Sequence, residues 1–167
     1  MHEIGFDLLA PYLLGADGKY VSLTQFADVV EWFGHWYDPA YVVASLIDVY
    51  SIVNAEWFCG PISRQQAESH INSKSTCPSP DSFLVRLSAS FPGCPFTITR
   101  PSHSTRRPNL RVKRIPFQQG TFQFVVDYGS DGFSRAFSSL PDLIQGLGHE
   151  LRLVNPAPPI PSSTGGY

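Results

Sequence analysis

The chain has few of the features that mark secreted or membrane proteins. Its three cysteines, Cys59, Cys77 and Cys94, are an odd number at spacings that suit neither a disulfide framework nor a compact metal motif. No run of about 18 apolar residues is present, and the first residues lack the basic segment, apolar run and cleavage site of a secretory signal. We therefore expect a cytoplasmic protein in a reducing compartment.

The chain also has little net charge. Its 12 basic and 14 acidic residues leave a net charge of -2 at pH 7, which gives no general attraction to nucleic acid or to an anionic membrane. We expect neither as a partner, so anion binding would require a local site. Since 43% of the residues are hydrophobic, the 167-residue chain can bury a real core and is not disordered as a whole.

Familiar catalytic motifs are missing from the sequence. There is no Walker A, G-x-S-x-G or H-E-x-x-H pattern. Cys94 and Arg100 have the C-x5-R spacing of tyrosine phosphatases, but the residues between them alternate as a strand, and Pro95 removes an amide that a phosphate loop would need. Four candidate zinc ligands lack closely spaced pairs: Cys59, His70, Cys77 and Cys94. We expect no enzyme activity, no cofactor and no metal.

One arginine interrupts an apolar run. Residues 83–85 and Leu87 are apolar residue types that are common in buried strands, and Arg86 lies between them. A buried guanidinium is costly unless an anion or an internal carboxylate meets it. Ser88 and Ser90 follow at alternate positions and would place hydroxyl groups beside Arg86. An arginine fork with adjacent hydroxyl groups is suited to binding phosphate.

The residues around Arg86 resemble the SH2 (Src homology 2) domain family. Residues 57–64 read W-F-C-G-P-I-S-R, Ala67-Glu68 follows, and residues 83–86 read F-L-V-R, in the order of that family's signature. Residues 138–144 are similar to the start of its second helix, so the resemblance covers roughly residues 56–155. It implies a phosphotyrosine-binding module of the α+β class, with a central antiparallel sheet between two α-helices.

The resemblance also implies roles for individual residues. Arg86 matches the strand arginine that forms a bidentate pair with the phosphate, and Ser88 and Ser90 match hydroxyl groups that also contact it. Arg64 matches the first-helix arginine that reaches the phosphate or stacks on the phenol ring. The implied partner is a tyrosine-phosphorylated protein or peptide.

A later basic strand would complete the site. Aligning Val112-Lys113-Arg114 with the family's V-K-H places Arg114 where a histidine usually supports the ring, and Lys113 beside it. Ile115 matches a position that shapes the groove beyond the phosphotyrosine, which favours apolar ligand residues after it. The alternative is a structural SH2-like platform that has lost phosphotyrosine binding and mediates protein packing. Intact Arg86, Ser88 and Arg64 favour the binding module.

Spacing and capping residues predict the elements of this domain. Ser63 is a good N-cap for a helix over residues 64–71, and strands are predicted at residues 83–87, 96–99, 110–117 and 121–126. Pro141 would lie in the first turn of the last helix, with Gly146 or Gly148 at its end. Residues 156–167 contain four prolines and predict a flexible tail.

Residues 1–55 predict a helical module that packs on the following domain as one cooperative unit. Phe26, Val29, Val30 and Phe33 recur at helical spacing, with Thr24 as N-cap and Gly34 as the end. A short apolar helix interrupted at Pro11 would precede them, and Asp38-Pro39 would begin the next helix, with its apolar face at Val42, Val43, Leu46 and Val49 or Tyr50.

Residues 18–26 look like the second half of an EF-hand loop and its exit helix. With Gln25 at the twelfth position, Leu14, Ala16 and Gly18 stand where oxygen ligands should be, so we expect no calcium binding. Through residues 26–36 the segment resembles the EF-hand-like or linker modules that precede the SH2 domains of Cbl-type ubiquitin ligases and STAT transcription factors. A STAT-like protein would also enter the nucleus.

Overall fold

The computed structural model describes residues 9–14, 20–34, 42–88, 91–117 and 121–160. The helices are α1 (Leu23–Phe33), α2 (Val42–Val53), α3 (Arg64–Ile71) and α4 (Leu140–Leu151), and residues 9–13 are also helical. The strands are β1 (Ser82–Leu87), β2 (Phe96–Thr99), β3 (Asn109–Pro116), β4 (Phe122–Asp127) and β5 (Asn155–Pro156), with a 3-10 turn at Gly129–Asp131. None of the described helices is long and apolar enough to cross a membrane.

The five strands form one sheet in the order β4-β3-β2-β1-β5. Neighbouring strands from β1 to β4 pair antiparallel, and β5 pairs parallel with β1. Helix α3 packs against β1 and β2, whereas α4 packs against β4 and against α2. The α+β class and the antiparallel sheet between two helices are therefore confirmed.

The two faces of the sheet bury cores of different size. On the face covered by α3, which we call the α3 face, Leu84 packs with a small cluster: Ala67, Ile71, Cys77 and Ala157. On the opposite face, which we call the α4 face, Phe83, Val85 and Leu87 belong to the main core. Because successive strand residues point to opposite faces, this division assigns every residue of β1 to β4 to one side.

The N-terminal helices contribute to the main core. Val29, Trp32 and Phe33 of α1 and two residues of α2 are buried in the same cluster as Val85 and Ile98. The Phe33 ring lies with its centroid 6.4 Å from that of Phe96 in β2, in an edge-on arrangement. The predicted helical character of this region is confirmed for α1 and α2, and their buried residues belong to the main core.

The start of α1 differs from the predicted one. Ser22, not Thr24, is the N-cap: its hydroxyl accepts the Gln25 N–H, and the Gln25 side chain accepts the Ser22 N–H. This reciprocal capping box satisfies two backbone donors at once, which Thr24 could not do. Gly34 ends the helix as predicted, with φ 84°. The predicted cap at residues 38–39 lies outside the described residues.

The end of α4 also differs from the predicted one. The helix continues through Gly146 and Gly148 to Leu151, and Arg152 ends it in the left-handed region with φ 55°. Burial of Leu147 and Leu151 outweighs the cost of about 1 kcal/mol that each helical glycine carries. Gly146 is required for packing, because a Cβ there would collide with the Phe137 ring.

The chain after β5 remains in contact with the domain as far as it is described. Ala157 is buried, and its N–H donates to the carbonyl of Phe83 at 2.8 Å. The His70 ring lies 2.8 Å from the Pro158 carbonyl. Residues 156–160 of the expected flexible tail thus pack on β1 and α3, and residues 161–167 lie outside the described residues.

Candidate anion-binding site

The site begins with a row of residues across the sheet. Arg86 of β1 pairs with Thr97 of β2, which pairs with Arg111 of β3, which in turn pairs with Asp127 of β4. Paired residues in a sheet project from the same face. The row therefore presents two guanidinium groups on the α3 face with a small threonine between them.

Two cavities meet at Arg86. The first, which we call the loop cavity, has a volume of about 430 Å³, and its lining includes Arg86, Ser88 and Trp32. The second, which we call the sheet cavity, has a volume of about 240 Å³ and is lined by Thr97, Arg111 and Arg107 among others. Three residues line both cavities: Arg64, Arg86 and Phe91.

Arg86 has no counter-ion in direct contact among the described residues. Its Nη1 donates to the Leu87 carbonyl at 3.3 Å, while its buried Nε has no hydrogen-bond partner there. Burial lowers the pKa of Arg86, the charge of Arg64 lowers it further, and Glu68 opposes the shift. The guanidinium is therefore short of the negative charge that a buried cation requires.

Glu68 already has two other partners. One of its oxygens accepts from the Arg64 Nε and from the Asn109 side-chain amide, both at 2.7 Å. The bond from Arg64 is the main reason that the Glu68 pKa is lowered. The Arg64 side chain is 69% exposed, and such surface pairs contribute little, about 0–1 kcal/mol. Arg64 can therefore exchange the carboxylate for another anion at small cost.

Ser88 lies where the sequence places it, beside Arg86. It is buried at the end of β1, its N–H donates to the Pro95 carbonyl at 2.9 Å, and it lines the loop cavity. Ser90 lies outside the described residues. Arg64, Arg86 and Ser88 thus line one cavity.

Arg111 was not among the predicted site residues, yet it joins this group. Its guanidinium lies 3.5 Å from the centroid of the Phe91 ring, a cation–π contact at the edge of the sheet cavity. The alternation of β3 contains the signal: Leu110 and Val112 face the main core, so Arg111 must face the other way.

Lys113 and Ile115 share the α3 face with Arg111 but lie further along β3. The Lys113 ammonium is 5.3 Å from the centroid of the Phe133 ring, and Ile115 is exposed. Neither residue lines the two cavities. They extend the α3 face away from Arg86.

Arg114, predicted to lie beside the ring, is on the other side of the sheet. It pairs with Phe124 of the main core, and its guanidinium donates to the carbonyls of Val30 and Trp32, each at 3.2 Å. It also stacks over the Phe122 ring at 4.3 Å. Arg114 is three residues after Arg111, so strand alternation directs it away from Arg86 and toward the C-terminal end of α1.

The C-x5-R segment does not form a catalytic loop. Cys94 is buried, and burial is the main reason that its pKa is raised. Arg100 is buried too, and its guanidinium donates to the carbonyls of Leu151 and Arg107 at 2.9 and 2.8 Å. All three cysteines are free thiols, and the described part of the chain holds no cluster of three His, Cys, Asp or Glu side chains suited to a metal ion.

Comparison with known proteins gives one family and two relatives. The family model of the SH2 domain matches residues 57–146. Dual specificity protein kinase shkE of Dictyostelium discoideum is 27% identical over 148 residues, which are 84% of this chain and 20% of that protein. Dual specificity protein kinase shkD of the same organism is 30% identical over 93 residues, 55% of this chain and 12% of that protein. The chain spans a fifth or less of the length of these relatives.

Proposed function

Because this chain belongs to the SH2 domain family, whose members are non-catalytic phosphotyrosine-binding modules, we propose that it binds a tyrosine-phosphorylated protein or peptide through Arg86. The observation that supports this assignment is that Arg86 is half-buried and lacks a counter-ion among the described residues. Its guanidinium is half-buried, its Nε has no partner among the described residues, and the nearby Glu68 is engaged by Arg64 and Asn109. A phosphate dianion supplies the missing charge and acceptors.

The two cavities suggest how the ligand lies. We place the phosphoryl group at the loop cavity, within reach of the Arg86 fork and the Ser88 hydroxyl. The resemblance to the family adds Ser90 as a further proposed ligand. The phenol ring then lies over Thr97 in the sheet cavity, between Arg64 and the Arg111 guanidinium. Both arginines offer a planar cation to the ring face.

The exposed surface of β3 on the α3 face is the proposed path for the residues that follow the phosphotyrosine. Ile115 provides an apolar surface there, and Lys113 provides a positive charge between Ile115 and the site. The two similar proteins are named as dual specificity protein kinases, and by that likeness we place the phosphotyrosine binding of this chain in protein-kinase signalling.

Isothermal titration tests the proposal. A peptide with one phosphotyrosine should bind in the micromolar range or tighter, about -8 kcal/mol or better. The same peptide with tyrosine or phosphoserine in that place should bind at least tenfold more weakly, since neither delivers both the dianion and the ring. Equal affinity for all three peptides would contradict the proposal and favour a structural platform.

A further inference from the structure

One wall of the loop cavity comes from outside the part of the chain that matches the family model. Trp32 lies in the last turn of α1, 25 residues before the first matched position, and it lines this cavity together with Arg86 and Ser88. Its side chain is buried, at 8% exposure. The N-terminal helix thus reaches the same cavity as the arginine of β1.

The indole of Trp32 has an unused hydrogen-bond donor. Its Nε1 is buried and has no acceptor among the described residues. Buried tryptophan N–H groups usually find a partner, because an unsatisfied buried donor destabilises the fold. The neighbouring charged groups that line the cavity, Arg64 and Arg86, are also donors. A ligand with several acceptor oxygens in this cavity would serve all of these groups.

The main-chain contacts of α1 hold Trp32 against the cavity. The Arg114 guanidinium donates to the carbonyls of Val30 and Trp32, which fixes the last turn of the helix on the sheet. The Glu31 carboxylate accepts the Gly93 N–H at 2.7 Å, and the Arg114 N–H donates to the Gly93 carbonyl at 3.0 Å. The helix is therefore tied to the segment between β1 and β2, which borders the site.

We propose that Trp32 is a phosphotyrosine-binding residue whose indole N–H donates to a phosphoryl oxygen, so that the N-terminal helix completes the site. This inference rests on the proposed function. The phosphoryl group accepts from Arg86 on one side and from Trp32 on the other. Arg114 is then a positioning residue, because it fixes the turn of α1 that carries the indole and offsets the negative end of the helix dipole.

Nuclear magnetic resonance of the full chain tests the contact directly. The chain has three tryptophans, so a ¹⁵N-labelled sample gives at most three indole N–H signals, and Trp32→Phe identifies the one from Trp32. On titration with a phosphotyrosine peptide this signal should shift and saturate together with the calorimetric binding curve. The Trp57 signal serves as the control, because Trp57 lines neither cavity. A Trp32 signal that stays in place in the bound protein would overturn the inference.

Calorimetry of matched variants gives a second, independent result. Trp32→Phe keeps an aromatic ring but removes the donor, and it should weaken binding about tenfold, as expected for one hydrogen bond to a charged acceptor. Trp57→Phe should stay within about twofold of the original affinity. Unchanged affinity in Trp32→Phe would overturn the inference while Arg86-dependent binding stands. If the unaltered chain binds the phosphotyrosine peptide no more tightly than the unphosphorylated peptide, the proposed function itself has failed.

Discussion

Arg86 and Arg114 project from opposite faces of the same sheet. Arg86 lies in one row with Thr97 and Arg111 on the α3 face, whereas Arg114 pairs with Phe124 on the α4 face. Burial lowers the pKa of both arginines, but only Arg114 places its guanidinium on the carbonyls at the end of a helix. One arginine is thus available for a ligand, and the other holds α1 on the sheet.

Removal of residues 1–55 should destabilise the rest of the chain. The deletion uncovers core surface around Val85, Ile98 and Phe96 that the N-terminal helices bury. Several large apolar side chains lose their packing, so we expect the unfolding free energy to fall by at least about 3 kcal/mol, together with lower solubility. Denaturant unfolding of the full and truncated chains measures this. Equal stability would show that residues 1–55 form an independent domain.

Substitution of Arg114 should affect stability through the end of α1. Arg114→Met removes two hydrogen bonds to helix carbonyls and the contact with Phe122, and we expect a loss of about 1–3 kcal/mol. Arg111→Met is the matched control from the same strand. It removes only the exposed contact with Phe91, so we expect a smaller loss of about 0.5–1 kcal/mol. Chemical denaturation compares the two. The expectation fails if Arg111→Met is the more destabilising change.

Asp48 of α2 should lower stability at neutral pH. Burial raises its pKa, and the negative charge of Asp142 raises it further. A carboxyl group whose pKa is raised on folding destabilises the folded state when it ionises, so this cost is present at pH 7 and declines as the pH falls toward 3.8. Asp48→Asn should therefore raise the unfolding free energy at pH 7, with a smaller gain near pH 4.

The ionised carboxylate of Asp142, unlike that of Asp48, should stabilise the fold. Hydrogen bonds from Ser138 and then Ser139 lower its pKa, so its ionised form stabilises the fold above the ordinary carboxyl pKa, and this contribution is lost as the pH falls. In the Asp48→Asn background, where the repulsion between the two carboxylates is absent, Asp142→Asn should lose stability at pH 7 in melting curves recorded from pH 3.5 to 7. A stabilising Asp142→Asn, or a pH-independent Asp48→Asn, would contradict these assignments.

The ligand should carry apolar residues one to three positions after the phosphotyrosine, since Ile115 lies along the proposed path. Acidic residues close to the phosphotyrosine should help through Lys113 and Arg111, and their effect should weaken as salt rises, because these charges are solvent-accessible. A phosphotyrosine peptide library screened at two salt concentrations measures both preferences. Ile115→Ala should lose the apolar preference alone, whereas enrichment of lysine or proline there would refute the role of Ile115.

Much of the sheet and α3 was predictable because their signals are local. The apolar run of residues 83–87 and the alternation of residues 96–99 define β1 and β2, and Ser63 with Gln66 forms the capping box of α3. The same S-x-x-Q pattern occurs at Ser22 and Gln25, within the segment that resembles an EF-hand loop and its exit helix, and it marks the first turn of α1. The end of α4 depends on tertiary packing of Leu151, which no local pattern contains.

The site was predictable only where its residues are close in sequence. Arg86 and Ser88 lie in one strand and Arg64 in the preceding helix, so the family pattern identifies all three together. The position of Arg111 beside Thr97 depends on the register of β3 against β2, and the period of two in β3 directs Arg114 to the opposite face. The presence of Trp32 in the loop cavity could not be predicted without knowing where α1 packs, because Trp32 lies 54 positions before Arg86 in the chain.

The most direct test of the account is the affinity of Arg86→Lys for a phosphotyrosine peptide, measured by isothermal titration against the unaltered chain. Lysine keeps the positive charge but removes the planar fork, so we predict a loss of at least about 100-fold, with the melting temperature unchanged or slightly raised. Arg64→Lys, at an exposed position, should lose about tenfold or less. Arg86→Lys that binds within about threefold of the original affinity would contradict the assignment of Arg86 as the phosphate ligand.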